Sequence, residues 1–124
     1  MIMNTRFVPG LLILAAGASA CSFHARSPED YQSATRALLE TRSGQIKTCY
    51  DEVLKQDKDA SGTVVVHFTV MPETGDITGA EVTPESTAPA PLGQCIVQAM
   101  DGLSLDPPDA REGDATFSWD FEKG

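Results

Sequence analysis

Every second residue from 64 to 70 is a large apolar one, Val64, Val66, Phe68 and Val70, and this period of two predicts a half-buried β-strand. A turn sequence follows at residues 71–76, where Pro72 presets φ and Gly75 can adopt the left-handed conformation. The chain then returns over residues 77–83 as a second strand. Because a two-stranded hairpin is not stable alone, other elements must cover its apolar face.

Segments with helical periodicity flank the hairpin on both sides. Ser27 and Pro28 form a helix start, and Gly44 interrupts the pattern, so we expect a bent helix or two helices that meet near residues 42–44. The second segment, residues 92–103, carries a narrow apolar stripe suited to packing on a sheet. The apolar positions at helical spacing are Tyr31, Ala34, Leu38, Ile46, Cys49, Tyr50, Val53 and Leu54 before the hairpin, and Leu92, Cys95, Ile96, Ala99, Met100 and Leu103 after it.

A last strand is predicted over residues 115–121, where Phe117, Trp119 and Phe121 share one face. The predicted fold is therefore α+β. Two helices pack on one face of a three-stranded antiparallel sheet, and an N-terminal helix precedes them. We expect one domain over residues 28–122, with its core at 43–122.

The N-terminus has the pattern of an export signal. Arg6 supplies a short positive region, and the apolar run that follows is too short to span a bilayer. Small residues at positions 18–20 precede Cys21, as in a bacterial lipobox, where the cysteine is lipidated and becomes the mature N-terminus. Ordinary signal cleavage and a retained anchor are the alternatives, and all three export the chain.

These features predict a lipoprotein signal peptide at residues 1–20 and a tether at 21–27. Ser22, rather than Asp, follows the cysteine, which favours the outer membrane. We therefore expect a protein that is held by a lipid anchor at the periplasmic face of the envelope.

The chain is acidic, with 9 Lys and Arg against 18 Asp and Glu and a formal net charge of −9. Nucleic-acid binding is disfavoured because it needs clustered positive charge. The carboxylates are scattered over polar faces, and we expect them to form a solvated surface. No cofactor is predicted.

Cys49 and Cys95 lie on the apolar stripes of two helices that must share one face of the sheet. Outside the cytosol such a pair favours a structural disulfide. Two buried free thiols and a redox-active thiol are the alternatives. A thiol nucleophile needs a nearby base, yet His67 alternates out of phase with the apolar strand residues and should point away from both cysteines.

A weak calcium motif precedes the first strand. Asp57, Asp59 and Ser61 stand at alternate positions, and Gly62 follows at the sixth. The twelfth position is Phe68 rather than Glu, and a strand follows instead of a helix. A solvated turn is the preferred interpretation, and calcium binding is the alternative.

A set of motif residues recurs along the chain and ends in an aromatic strand: Ile46, Cys49, Tyr50, Asp51, Gly62, Phe68, Gly75 and Cys95. Taken together they resemble the AgmX/PglI C-terminal domain family, which is similar to the C-terminal domain of TonB. The resemblance covers about residues 28–121. It implies the two-helix, three-strand architecture, a Cys49–Cys95 bond, and partner binding by strand pairing at a sheet edge, at the last strand or the returning hairpin strand.

The function predicted from the sequence is that of a non-enzymatic envelope lipoprotein. It would act as a periplasmic protein-interaction module in a motility- or transport-related assembly, with envelope proteins as partners and the membrane contacted through the lipid anchor. Two alternatives remain, a thiol redox or stress-sensing protein and a calcium-responsive structural lipoprotein.

Overall fold

The structure is a computed structural model, and it describes residues 25–123. The predicted lipobox with Cys21, the signal peptide and most of the tether lie outside these residues. The elements in chain order are α1 (Pro28–Glu40), α2 (Ser43–Gln56), β1 (Gly62–Val70), β2 (Ile77–Val82), α3 (Ala90–Ala99) and β3 (Gly113–Phe121). This order confirms an α+β fold with three helices and a three-stranded antiparallel sheet.

The start of α1 follows the sequence prediction, whereas the end of α3 does not. The Ser27 hydroxyl oxygen accepts a hydrogen bond from the Asp30 N–H at 3.1 Å, and Pro28 occupies the first turn of α1. The break expected near residues 42–44 lies at Thr41 and Arg42, between α1 and α2. The apolar stripe predicted a helix as far as Leu103, but helix α3 ends earlier, at Ala99.

Leu103 nevertheless reaches the core from the turn that follows α3, where Gly102 has a φ of 82°. Glycine adopts this left-handed conformation readily, so the chain can leave the helix and still bury the next apolar side chain. Periodicity had correctly marked Leu103 as buried but not the point at which the helix stops.

Strand β1 is the centre of the sheet, in the order β2-β1-β3. Its burial alternates as predicted, with Val64, Val66, Phe68 and Val70 at most 1% exposed. The register between β1 and β2 shifts by one residue near Phe68, at a bulge that contains Gly79. As a result, Ile77 and Ala80 both pack against the core although they are three residues apart.

The core lies between the apolar face of the sheet and the three helices. Leu39 from α1, Ile46 and Cys49 from α2, and Leu92 and Ile96 from α3 all join the buried cluster of β1 side chains. Helix α3 contacts β1, β2 and α2, and the close approach of Gly93 to Val82 sets the distance between α3 and β2. One face of the sheet is therefore covered, and the other faces solvent.

Candidate functional site

The two cysteines form a disulfide between α2 and α3, with an S–S distance of 1.99 Å and a Cα–Cα distance of 5.7 Å. Cys49 is 3% exposed and belongs to the core, whereas Cys95 is half-buried beside a shallow groove between the two helices. The predicted disulfide is present, and it joins the two helices beside the core.

The residues that carry the family resemblance serve the core and the turns rather than one shared site. Ile46 and Phe68 are buried, and Asp51 makes an exposed ion pair with Lys47 at 3.0 Å on α2. The Tyr50 hydroxyl donates a hydrogen bond to the Ala60 carbonyl oxygen at 2.7 Å.

The two glycines of this set occupy positions that require them. Gly75 has a φ of 76°, and a Cβ there would collide with the backbone of Leu105. Gly62 has a φ of 129°, and a Cβ there would stand 2.8 Å from the backbone nitrogen of Ala88. Both are sites of close backbone approach in the turns that frame β1.

The residues of the calcium motif form a turn and an ion pair. The Asp57 carboxylate accepts a hydrogen bond from the Asp59 N–H at 3.0 Å, and the Asp59 carboxylate lies 2.7 Å from the Lys123 ammonium group. Ser61 is exposed. Over residues 25–123 no group of three or more His, Cys, Asp or Glu is arranged to hold a metal ion.

His67 lies on the solvent face of the sheet, opposite the helices and the disulfide. Its Nε2 atom is 2.6 Å from the Asp114 Oδ1 atom on β3, and the two side chains are 41% and 75% exposed. The imidazole therefore pairs with a carboxylate across two strands on the surface. It lies on the wrong side of the sheet to activate either cysteine.

The outer edge of β3 is the most distinctive feature of the described surface. On β1, the odd-numbered residues bond toward β2: the Val65 carbonyl oxygen accepts from the Thr83 N–H, and the Thr63 carbonyl oxygen from the Thr87 N–H, both at 2.8 Å. In an antiparallel pair, residues alternate between hydrogen-bonded and non-hydrogen-bonded partners. The β3 partners of the odd-numbered β1 residues must therefore aim their own N–H and C=O groups away from the sheet.

These outward-facing residues are Asp114, Thr116, Ser118 and Asp120. Among the residues that the structure describes, no hydrogen bond reaches their outward main-chain groups. The strand is nine residues long, so its open edge is long enough to template pairing with another segment.

A groove of about 520 Å³ runs between α1 and the β3 edge. The guanidinium carbon of Arg36 lies 5.2 Å from the centre of the Phe117 ring, a cation–π contact across the groove. The Tyr31 hydroxyl donates to the Arg111 carbonyl oxygen at 3.0 Å, and burial, with a smaller contribution from the Asp109 carboxylate, raises the pKa of Tyr31. The residues that line the groove include Tyr31, Thr35, Arg36, Arg111, Glu112, Asp114, Ala115 and Phe117.

A buried carboxylate lies beside the groove, and it is an exception to the predicted solvated acidic surface. Asp109 is 1% exposed. Its two carboxylate oxygens accept hydrogen bonds from the backbone N–H groups of Arg26, at 2.8 Å, and Arg111, at 2.9 Å. Both guanidinium groups also lie 3.5 Å away.

Burial works to raise the pKa of Asp109, but the hydrogen bonds from Arg26 and Arg111 outweigh it and hold that pKa below the ordinary 3.8. The Arg26 guanidinium also donates to the Pro107 carbonyl oxygen at 2.7 Å. The N-terminal segment is thus clamped to the loop that leads into β3. No sequence pattern predicted this clamp, because its members are about 80 residues apart.

No protein-family model matches the chain, and neither does any curated protein or solved structure in the comparisons. None of the helices within residues 25–123 combines the length and the apolarity that crossing a membrane requires.

Proposed function

We propose that this chain is a non-enzymatic interaction module of the cell envelope, which binds a partner by pairing an extended segment with the open edge of β3. The observation that carries the proposal is the nine-residue edge strand with four outward-facing residues. We further propose that the fold is TonB C-terminal-like and of the AgmX/PglI type, on the strength of the motif resemblance and of the order of helices and strands.

Main-chain pairing supplies affinity without any assembled catalytic group. Each outward residue of β3 offers one donor and one acceptor, and each intramolecular-type hydrogen bond contributes about 1 kcal/mol net. Pairing along the strand therefore gives several kcal/mol before the cost of association is subtracted. Side chains that enter neighbouring pockets add selectivity in this mode of recognition.

The proposed lipid anchor would hold the domain close to the membrane, because the tether is short. Cys21, the expected lipid attachment site, is five residues before Arg26, and a fully extended chain spans at most about 3.5 Å per residue. Since Arg26 is clamped to Asp109, the loop before β3 would lie within about 20 Å of the membrane surface. A lipid-anchored partner or an envelope protein close to the bilayer would then be in reach.

A proline at Ser118 tests the proposal. The Ser118 N–H faces away from the sheet, so proline there keeps the β1–β3 ladder while it removes one outward donor and crowds the edge. The matched control is Ser118→Ala, which changes the side chain and keeps the main chain. We expect affinity capture from envelope extracts to recover the same protein with wild type and Ser118→Ala, and to lose it with Ser118→Pro.

Circular dichroism would first establish that both Ser118 variants keep the wild-type fold. Capture that is equally efficient with folded Ser118→Pro would contradict pairing at this edge. Turnover of a substrate by the purified chain, with no stable partner, would contradict the non-enzymatic proposal.

A thiol redox role is the second candidate, and the half-buried Cys95 is the observation in its favour. Its sulfur lies beside the groove between α2 and α3, where a reductant can approach. Thiol labelling at graded reductant concentrations distinguishes the two roles. A structural bond should resist mild reduction in the folded protein, whereas a redox-sensing bond should open and re-form readily.

A further inference from the structure

The open edge of β3 carries negative charge at both of its ends. Asp114 and Asp120 are the first and last of the outward-facing residues, with the uncharged Thr116 and Ser118 between them. Both carboxylates are on the exposed side of the strand. An incoming segment would therefore meet a charge, two neutral positions and a second charge.

Neither carboxylate has a lysine or arginine partner within residues 25–123. Asp114 faces the His67 imidazole at 2.6 Å, and the Asp120 carboxylate accepts a hydrogen bond from the Thr63 hydroxyl at 2.7 Å. The lysine nearest in sequence, Lys123, is paired with Asp59 at 2.7 Å. Both edge carboxylates are thus available to a cation supplied by a partner.

The same charges oppose pairing with a second copy of this chain. A fully overlapped antiparallel pair of β3 strands has its two-fold axis at Phe117, so Asp114 of each copy would lie directly opposite Asp120 of the other. Like charges directly opposite one another destabilise a strand pair. In this fully overlapped register the edge therefore disfavours self-association, which is a hazard of exposed edges, while it stays open to a different chain.

We infer that the β3 edge accepts an extended segment with two basic side chains six residues apart and uncharged residues between them. This inference rests on the proposed strand pairing. Asp114 and Asp120 are six residues apart in sequence, or about 20 Å along the strand. An added strand has the same rise per residue, so lysine or arginine at this spacing lies opposite both carboxylates whichever direction the partner runs.

The other face of the incoming segment should be apolar. Its alternate side chains point toward the helix side of the sheet, beside Ala115 and Phe117, where the groove next to α1 is open. The groove is walled by the aromatic rings of Tyr31 and Phe117 and by the stem of Arg36. Aromatic rings at this wall favour apolar side chains on that face, so the partner segment should read basic, apolar, polar, apolar, polar, apolar, basic.

Two fluorescein-labelled peptides test the inference by anisotropy with the full chain purified in detergent. The first, KVTVTVK, carries the proposed pattern, and the matched peptide EVTVTVE reverses both charges. We expect the lysine peptide to bind at least about tenfold more tightly, and its advantage to shrink as salt is added. The double variant Asp114→Asn/Asp120→Asn should bring the two affinities to within about twofold of each other.

A second double variant controls for net charge. Glu40→Gln/Asp101→Asn removes two exposed carboxylates that do not line the groove or the β3 edge. It should keep at least two thirds of the preference for the lysine peptide on a logarithmic scale. A lysine peptide that is N-methylated at both threonines should bind at least tenfold more weakly, because methylation removes main-chain donors while leaving the charges.

The possible results separate the inference from the proposed function. Equal binding of both peptides, abolished by Ser118→Pro, would overturn the charge pattern and leave strand pairing standing. Binding of the lysine peptide that survives Ser118→Pro or N-methylation would show attraction without pairing, and it would overturn both. Binding of neither peptide would overturn the inference, while capture with the Ser118 variants still tests the proposed function.

Discussion

Removal of the Cys49–Cys95 disulfide should cost this domain a large share of its stability. The bond joins α2 to α3 across a sequence separation of 46 residues. On the chain-entropy model, closing a loop of this length in the unfolded chain contributes about 4 kcal/mol to the free energy of unfolding. Small domains have only about 5–15 kcal/mol in total.

The perturbation has two forms, and their difference is informative. Chemical reduction of the wild type breaks the cross-link and keeps both sulfur atoms. The double variant Cys49→Ala/Cys95→Ala also removes the sulfur atoms, and Cys49 is 3% exposed in the core. We therefore expect a loss of about 4 kcal/mol on reduction, and a further loss of about 1 kcal/mol in the double variant from packing.

Urea denaturation of the oxidised, reduced and doubly substituted proteins measures both quantities, provided that the slope against denaturant is fitted for each. For a domain of about 100 residues, a loss of 4 kcal/mol corresponds to a fall of roughly 20 °C in the melting temperature. A loss below about 1 kcal/mol on reduction would refute the reasoning, because the cross-link would then contribute little to holding α2 and α3 together.

Three further predictions concern residues that the fold places in special positions. Asp109→Asn should cost about 1.5–3 kcal/mol, because the buried carboxylate accepts charge-assisted hydrogen bonds. Since the pKa of Asp109 is depressed in the folded state, the stability that its carboxylate contributes is present above the ordinary value of 3.8 and is lost as the pH falls below it. Urea titrations should therefore show a smaller difference in stability between the variant and the wild type at pH 3 than at pH 6. Gly75→Ala should destabilise the domain by more than 1 kcal/mol, because Gly75 has a positive φ and a Cβ there would meet the Leu105 backbone. Gly44→Ala is the control, since an added Cβ there meets no neighbouring group within 4 Å, and it should be neutral or stabilising. Thermal melting of both variants measures the difference. Tyr50→Phe should cost about 1 kcal/mol in urea denaturation by leaving the Ala60 carbonyl oxygen without its donor, and an unchanged midpoint would show that water replaces the hydroxyl.

The clamp at Asp109 connects the start of the described chain with the start of the open β3 edge. It fixes Arg26 to the loop that leads into β3, so the direction in which the chain leaves the domain is coupled to the start of the open edge. If the chain is lipidated at Cys21, as the sequence predicts, the start of the open edge would be held close to the membrane.

The local periods of the sequence determined the types of the elements. The recurrence of large apolar residues at every second position from 64 to 70 predicted a strand with one buried face, and the 3.6-residue recurrence around Cys49 and Cys95 predicted helices with one buried side. Because both helices had to cover the same face of the sheet, and the N-terminus predicted export, the sequence also favoured the disulfide. These features depend on neighbours within a few positions, so they can be predicted from the sequence alone.

The tertiary structure decided everything that depends on distant partners. That β1 is central and β3 is an open edge follows from the pairing of Gly62 with Phe121, which no local pattern encodes. The burial of Asp109 required Arg26 to meet it from the far end of the chain, and a lone aspartate between proline and alanine looks no different from a solvated one. A charge can be buried only where its compensating partners converge, and that convergence is a property of the folded chain rather than of its sequence.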